Sequence, residues 1–208
     1  MTHKTITTPL RRRRALARIA ALGAALLATA CTKTPPKGNF ASTDITGADY
    51  AQGFSLADHN GQRRSLKDFQ GKVVTLFFGF TQCPDVCPTT LAEMSQVKTL
   101  LGPDAERLQV LLVTVDPQRD TQDVLKAYTE AFDPAFLALR PEQEELEPLA
   151  RDFKAYFKKV GDSDTRYTMD HSAGTYIFDP QGRIRLYSRY GSGAQALHRD
   201  IRQLLDGA

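Results

Sequence analysis

Cys83 and Cys87 stand with three residues between them in the run Gly79–Pro88, GFTQCPDVCP, and each is followed by a proline. Two thiols held this close have three uses: a structural disulfide, a redox pair, or a site for a soft metal ion. The loop a disulfide would close here is very short, so its chain-entropy benefit is small. A further ligand candidate lies downstream in Met169-Asp170-His171-Ser172. A lone histidine ahead of a strand is ordinarily a hydrogen bonder. Beside two thiolates, His171 would complete a soft set of two sulfurs and one nitrogen. Thiolates select Cu(I), and imidazole also suits Cu(II). Zinc would want a fourth ligand, and this spacing is a poor zinc pattern.

These residues need elements to place them. Val73–Phe80 (VVTLFFGF) and Leu108–Val115 (LQVLLVTV) are almost continuously apolar, as strands covered on both faces would be. The cysteines therefore fall where the first buried strand turns into a helix, at the strand-end edge where open α/β sheets bind ligands. The prolines locate the helix start. With Asp85 as N-cap, Val86 and Cys87 open the helix, and Pro88 takes a first-turn position whose N–H has no partner anyway. Both sulfurs then sit near the helix N-terminus, where partial positive charge favours thiolate. The apolar spacing of Leu91, Met94, Val97, Leu100 and Leu101 carries this helix to Gly102-Pro103.

The remaining pattern predicts a hairpin over 54–66 around Asn60-Gly61, a helix Thr121–Ala131 capped by Asp120, and a short strand Phe136–Leu139. A helix Glu142–Phe157 follows, with Pro148 in its first turn or at a kink. Thr175–Phe178 and Ile184–Ser188 flank the turn Asp179–Gly182, and an amphipathic helix Gln195–Leu205 closes the chain. The fold class is α/β, a central mixed sheet flanked by helices with an extra N-terminal hairpin. If Thr175–Phe178 neighbours Val73–Phe80, the loop holding His171 lies against the cysteine loop. Asp116 follows the second buried strand. It reads as organiser of the Asp-Pro turn, or as a rim contact or outer-shell group of a metal site. Asp170 would orient His171, add an oxygen ligand or shape a turn. His59, in a hairpin turn, and His198, on a helix flank, read as solvated.

Residues 1–30 hold six of the chain's 27 basic residues and none of its 24 acids. The remainder is slightly acidic, so the formal charge of +3 gives no support to nucleic-acid binding. Hydrophobic residues make up 41% and charged residues 25% of the chain, which provides for a packed core. No apolar run reaches the roughly 18–20 residues of a confident membrane span, which excludes a polytopic membrane protein. Four arginines followed by a short apolar stretch have the layout of an export signal. Leu27-Ala28-Thr29-Ala30-Cys31 resembles a bacterial lipobox, with Ala28 where that pattern prefers Leu and Cys31 as the lipid-modified residue. The arginines also resemble a twin-arginine signal. The expected organisation is an export signal over 1–31, a flexible tether over 32–50 and a folded domain over 51–208. That places the body on the periplasmic side of a bacterial membrane, lipid-anchored through Cys31.

The segments FFGFTQCPDVCPTTL, TVDPQRDT and DHSAGTYIFDPQGRIR, in this order, resemble the Sco/SenC family of copper-binding, thioredoxin-like proteins over approximately 51–205. The resemblance implies a thioredoxin-like fold with extra N-terminal strands, and copper ligation by Cys83, Cys87 and His171. Asp116 and Asp120 match the family's DxxxD segment. The implied role is delivery of copper to the binuclear centre of cytochrome c oxidase, with a periplasmic copper donor or thiol reductant as a second partner. The resemblance thus implies a metallochaperone rather than an enzyme, with thiol–disulfide oxidoreductase activity left open. The alternative is a thiol–disulfide oxidoreductase in which Cys83 attacks and Cys87 resolves. A thiol peroxidase of related fold would carry Thr where Phe80 stands, and a proline upstream of Cys83 that this chain lacks.

Overall fold

The computed structural model describes Thr2, residues 38–163 and residues 166–208. At its centre, seven consecutive buried residues form β4 (Val73–Gly79) and seven more form β5 (Leu108–Thr114). The two run parallel in register from Val73↔Leu108 to Gly79↔Thr114, and β6 (Leu137–Arg140) continues the parallel set beside β5. All three strands end on one edge, and from it the chain enters α1 (Val86–Leu101), α2 (Gln122–Glu130) and α3 (Gln143–Asp152).

β9 (Thr175–Phe178) lies antiparallel to β4, and β10 (Ile184–Ser188) antiparallel to β9. Asp179 shapes the turn between β9 and β10 by accepting the N–H groups of Gln181 and Arg183, each at 3.0 Å. Because β9 opposes β4, the residues entering β9 arrive at the edge where β4 ends. On the far side, β2 (Leu56–Asp58) pairs with β6 and with β3 (Arg63–Arg64), the expected N-terminal hairpin. The eight-stranded order, with β1 (Thr43–Asp44) on β10, is β1-β10-β9-β4-β5-β6-β2-β3. α4 (Ala194–Leu205) turns Leu197, Ile201, Leu204 and Leu205 inward and packs on α1.

Successive side chains of β4 point to opposite faces. Phe78 meets the rings of Phe153 and Tyr176 edge-on on one face, at 5.5 and 6.4 Å. Gly79 points the other way, under the first turn of α1.

Several expectations change. Residues 38–50, inside the segment read as a tether, are folded onto the body. The N–H groups of Ala41 and Ser42 both donate to the Asp200 carboxylate at 2.8 Å, β1 pairs with β10, and Phe40, Ile45 and Tyr50 pack on the core. Main-chain bonding with a few apolar anchors holds this stretch, which its composition does not reveal. Apart from Thr2, the export signal with Cys31 lies outside the described residues, as does 32–37. Among the described residues no helix is long and apolar enough to cross a membrane.

Asp120 does not cap α2; Thr121 does, its Oγ1 accepting the Val124 N–H at 3.3 Å. α3 ends at Asp152 rather than continuing to Phe157. Lys154 takes a left-handed φ of +51°, its N–H donates to Arg151 O, and the Ala155 N–H donates to Ala150 O at 2.8 Å. That is a Schellman termination, with lysine in the position usually given to glycine. Pro148 sits inside the helix. The carbonyl it leaves unpaired belongs to exposed Glu144, where water can reach it. Beyond α3 a separate ribbon forms, β7 (Phe157–Gly161) against β8 (Tyr167–His171). Only Met169 of these strands is buried, so they lack the apolar alternation that signals strands in a sequence.

Candidate metal centre

The site is built on the ends of β4, β5 and β8. After β4, the chain is pinned to its neighbours by Val115 N–H donating to Gly79 O at 2.8 Å. Thr81 donates to Asp120 from both its N–H, at 3.2 Å, and its Oγ1, at 2.6 Å. A tight turn, Cys83 N–H to Phe80 O at 3.2 Å, then presents Cys83 on the loop. α1 begins at Val86 with Asp85 as its N-cap, as the proline placement requires. Cys87 lies in its first turn, and its N–H points at Cys83 Sγ at 3.5 Å.

His171 ends β8. Its Nε2 lies 3.8 Å from Cys83 Sγ and 3.7 Å from Cys87 Sγ, across separations of 88 and 84 residues. Its Nδ1 lies 3.0 Å from Ser172 O. A carbonyl only accepts, so Nδ1 carries a hydrogen; Nε2 is left facing the sulfurs, a donor to the Cys83 thiolate when it holds a hydrogen and a lone-pair ligand when it does not. Phe80 holds the ring edge-to-face at 5.7 Å. The three ligand atoms lie within 4.8 Å of one another, and among the described residues no other His, Cys, Asp or Glu joins this group. A pocket of about 320 Å³ opens beside Cys83, between Pro84 and Val86 on one side and Tyr156, Met169 and His171 on the other.

The two sulfurs are free thiols in unlike settings. Hydrogen bonding from Cys87 is the main influence holding the Cys83 thiol down at about 4; His171 and the N–H groups of Cys87 and Asp85 assist, against burial. The same hydrogen bond between the two sulfurs, and then burial, push Cys87 well above the ordinary thiol range. The pair thus loses its first proton readily and its second with difficulty. Two soft sulfurs and one imidazole, with an open side, fit a low-coordinate copper ion and leave zinc short of a ligand.

The aspartates take other places. Asp120 is fully buried, accepting from Thr81 and from Thr114 Oγ1; burial raises its carboxyl, opposed by those hydrogen bonds. Asp116 is buried too, and its main-chain carbonyl accepts the N–H groups of Arg119 and Asp120 in the turn after β5. Its carboxylate is engaged by Arg119 Nε and by Tyr167 Oη, the latter at 2.9 Å. Asp170 is exposed at the pocket rim, and the imidazole is oriented by Ser172 instead. His198 is half-buried on α4. His59, expected in solvent, is buried: its Nδ1 accepts the Ala138 N–H at 3.3 Å, and its main-chain N–H donates to Ala138 O. A hairpin turn laid along β6 is covered by it. Arg119, Tyr167 and Phe80 complete the surroundings of the site; nothing in their local spacing signals this, because their contacts cross three separate segments.

The SCO1/SenC family profile matches residues 42–206. Among curated relatives, a mitochondrial SCO2 homolog of Bos taurus is 35% identical over 188 residues, covering 88% of this chain and 71% of that protein. A SCO2-like protein of Rickettsia felis is 35% identical over 132 residues, 62% of this chain and 64% of the relative. Among solved structures, copper-bound ScoI of Bradyrhizobium japonicum superposes with a TM-score of 0.67 at 36% identity, over 73% of this chain and 97% of that one. Apo Sco1 of Thermus thermophilus gives 0.71 at 36% identity, over 79% and 96%. These likenesses make the mixed sheet with its flanking helices and added hairpin a thioredoxin-like fold. With the profile spanning all but the ends of the folded body, the chain belongs to the SCO1/SenC family.

Proposed function

We propose that this protein is a copper carrier in cytochrome c oxidase assembly, holding its cargo on Cys83, Cys87 and His171. The observation that carries the reading is the convergence of His171 Nε2 on both sulfurs, at 3.8 and 3.7 Å. Copper supplies a soft, exchangeable centre for thiolate ligands. The protein's part is to keep one sulfur ionised, keep Nε2 aimed at the pair, and leave the pocket side open to an acceptor's ligands. The acceptor is the binuclear copper centre of the oxidase, and a periplasmic donor supplies the metal. Export, cleavage and lipidation at Cys31 would hold the body beside the membrane where that acceptor stands. The bound copper in the Bradyrhizobium japonicum relative supports the cargo assignment.

The test is an anaerobic copper titration of the soluble body, residues 32–208, followed optically. One copper per chain and a thiolate-to-Cu(II) charge-transfer band are expected. Unchanged binding and an unchanged band in His171→Ala would refute the ligand set. A second reading, thiol–disulfide exchange, is favoured by one observation: Cys83 lines the pocket while Cys87 is fully buried behind it, an arrangement in which hydrogen bonding also lowers the Cys83 thiol. Cys83 would attack a partner disulfide and Cys87 would release the product, oxidising the pair while the partner is reduced. Turnover on an oxidised partner that survives His171→Ala supports that reading.

A further inference from the structure

Arg119 is tied to every segment that builds the centre without belonging to the ligand set. Its Nε pairs with Asp116, in the turn after β5. Its Nη1 donates at 3.0 Å to Gln82 Oε1, on the residue before Cys83, and at 3.0 Å to the carbonyl of Tyr167, in β8. The guanidinium carbon lies over the Tyr167 ring, 3.6 Å from its centroid, and 6.0 Å from that of Phe80. Phe80 in turn is the ring against His171. Tyr167 Oη closes the circuit on Asp116 at 2.9 Å. The remaining nitrogen, Nη2, is buried without a hydrogen-bond partner, so the group gives up one donor to keep this stacked position.

The need for such a group follows from the topology. β7 and β8 form a two-stranded sheet apart from the central one, mostly exposed, and an isolated ribbon of this kind is marginal by itself. His171 rides on that ribbon, whereas Cys83 and Cys87 ride on the central sheet and α1. Something must fix the one relative to the other.

We propose that Arg119 is a positioning residue that latches the β7–β8 ribbon to the cysteine loop and so sets the distance between His171 and the two sulfurs. The planar, permanently charged fork suits the task, because it reaches the carboxylate, the amide and the carbonyl together while stacking on an aromatic face. Lysine offers a point charge that can pair with Asp116 but cannot do the rest. The consequence for copper rests on the ligand reading given above; the latch itself does not.

The test uses Arg119→Met, Arg119→Lys and Gln82→Ala with two readouts. The first is amide hydrogen exchange of the metal-free protein. Arg119→Met is expected to exchange at least about tenfold faster over 167–171 while β4 and β5 are unchanged, since the lost contacts govern local opening. The second is copper titration: affinity for Cu(II) is expected to fall about 10- to 100-fold, with the charge-transfer band displaced toward that of His171→Ala. Arg119→Lys is not expected to restore either. Gln82→Ala, which trims a contact at the surface, is expected to speed exchange over 167–171 by about fivefold, the equivalent of one hydrogen bond. It also decides the matter should Arg119→Met fail to fold. Ribbon exchange within twofold of the parent in the variants that fold overturns the latch. Failure of the parent protein to bind copper overturns the ligand reading and leaves the exchange result to judge the latch alone.

Discussion

A β-carbon on Gly79 would stand 2.6 Å from the Sγ of Cys87. Real side chains do not approach that closely, so the first turn of α1 can seat its sulfur over the end of β4 only because residue 79 has no side chain. Leu112 Cδ1, at 2.9 Å from the same point, closes the sideways escape. The glycine of the GFTQC run is therefore part of the site, although it offers no ligand.

Gly79→Ala should push Cys87 away from His171 and overpack the strand end. A loss of stability of about 1–3 kcal/mol is expected, with a fall in copper affinity in the folded fraction. Urea unfolding and a copper titration measure the two; parent-like values in both would contradict the close-packing argument.

Thiol reactivity should separate the two cysteines. Cys83, held down at about 4, is thiolate throughout the neutral range, whereas Cys87 remains protonated. Alkylation of the metal-free protein at pH 6 should label Cys83 alone, with a rate that falls only as pH approaches 4. The sign for stability follows: a folded value below the ordinary 9.0 gives a contribution present above 9.0 and lost as pH falls toward 4. Cys83→Ser should remove that slope, and equal labelling of the two thiols would sink the assignment.

Asp120 is expected to act through the loop it holds. Asp120→Ala leaves half-buried Thr81 and fully buried Thr114 without their acceptor, a buried loss of this kind costing about 1–3 kcal/mol. Thermal or urea unfolding should register a loss in that range or above, together with faster exchange at Thr81. A variant as stable as the parent would mean that water replaces the carboxylate.

His59 should make the fold acid-sensitive. Burial lowers its affinity for a proton below the ordinary value of 6.5, so its contribution to stability is present above 6.5 and is lost as pH falls through the lower folded value. His59→Asn should flatten this slope. An unfolding midpoint equally pH-dependent in both proteins would place the sensitivity elsewhere.

The parts of the architecture that depend on neighbouring residues were legible in the chain itself. Continuous apolar runs marked β4 and β5, the prolines located the start of α1, and Asp179–Gly182 marked the β9–β10 turn. The cysteine pair and its downstream imidazole could be nominated for the same reason, since donor chemistry is a property of the side chain. The β7–β8 ribbon was not legible, because exposed strands carry no apolar alternation, and the end of α3 was hidden because lysine occupies the left-handed position. Asp120 looked like a cap from its spacing, yet its carboxylate faces inward to Thr81 and Thr114. What only the tertiary structure decided is the meeting of His171 with the sulfurs. That meeting depends on β9 running antiparallel to β4, on Gly79 admitting Cys87, and on the contacts of Arg119 across three segments. Local sequence encodes dihedral preference and burial pattern over a few residues; distances between segments 84 residues apart arise only when the sheet assembles.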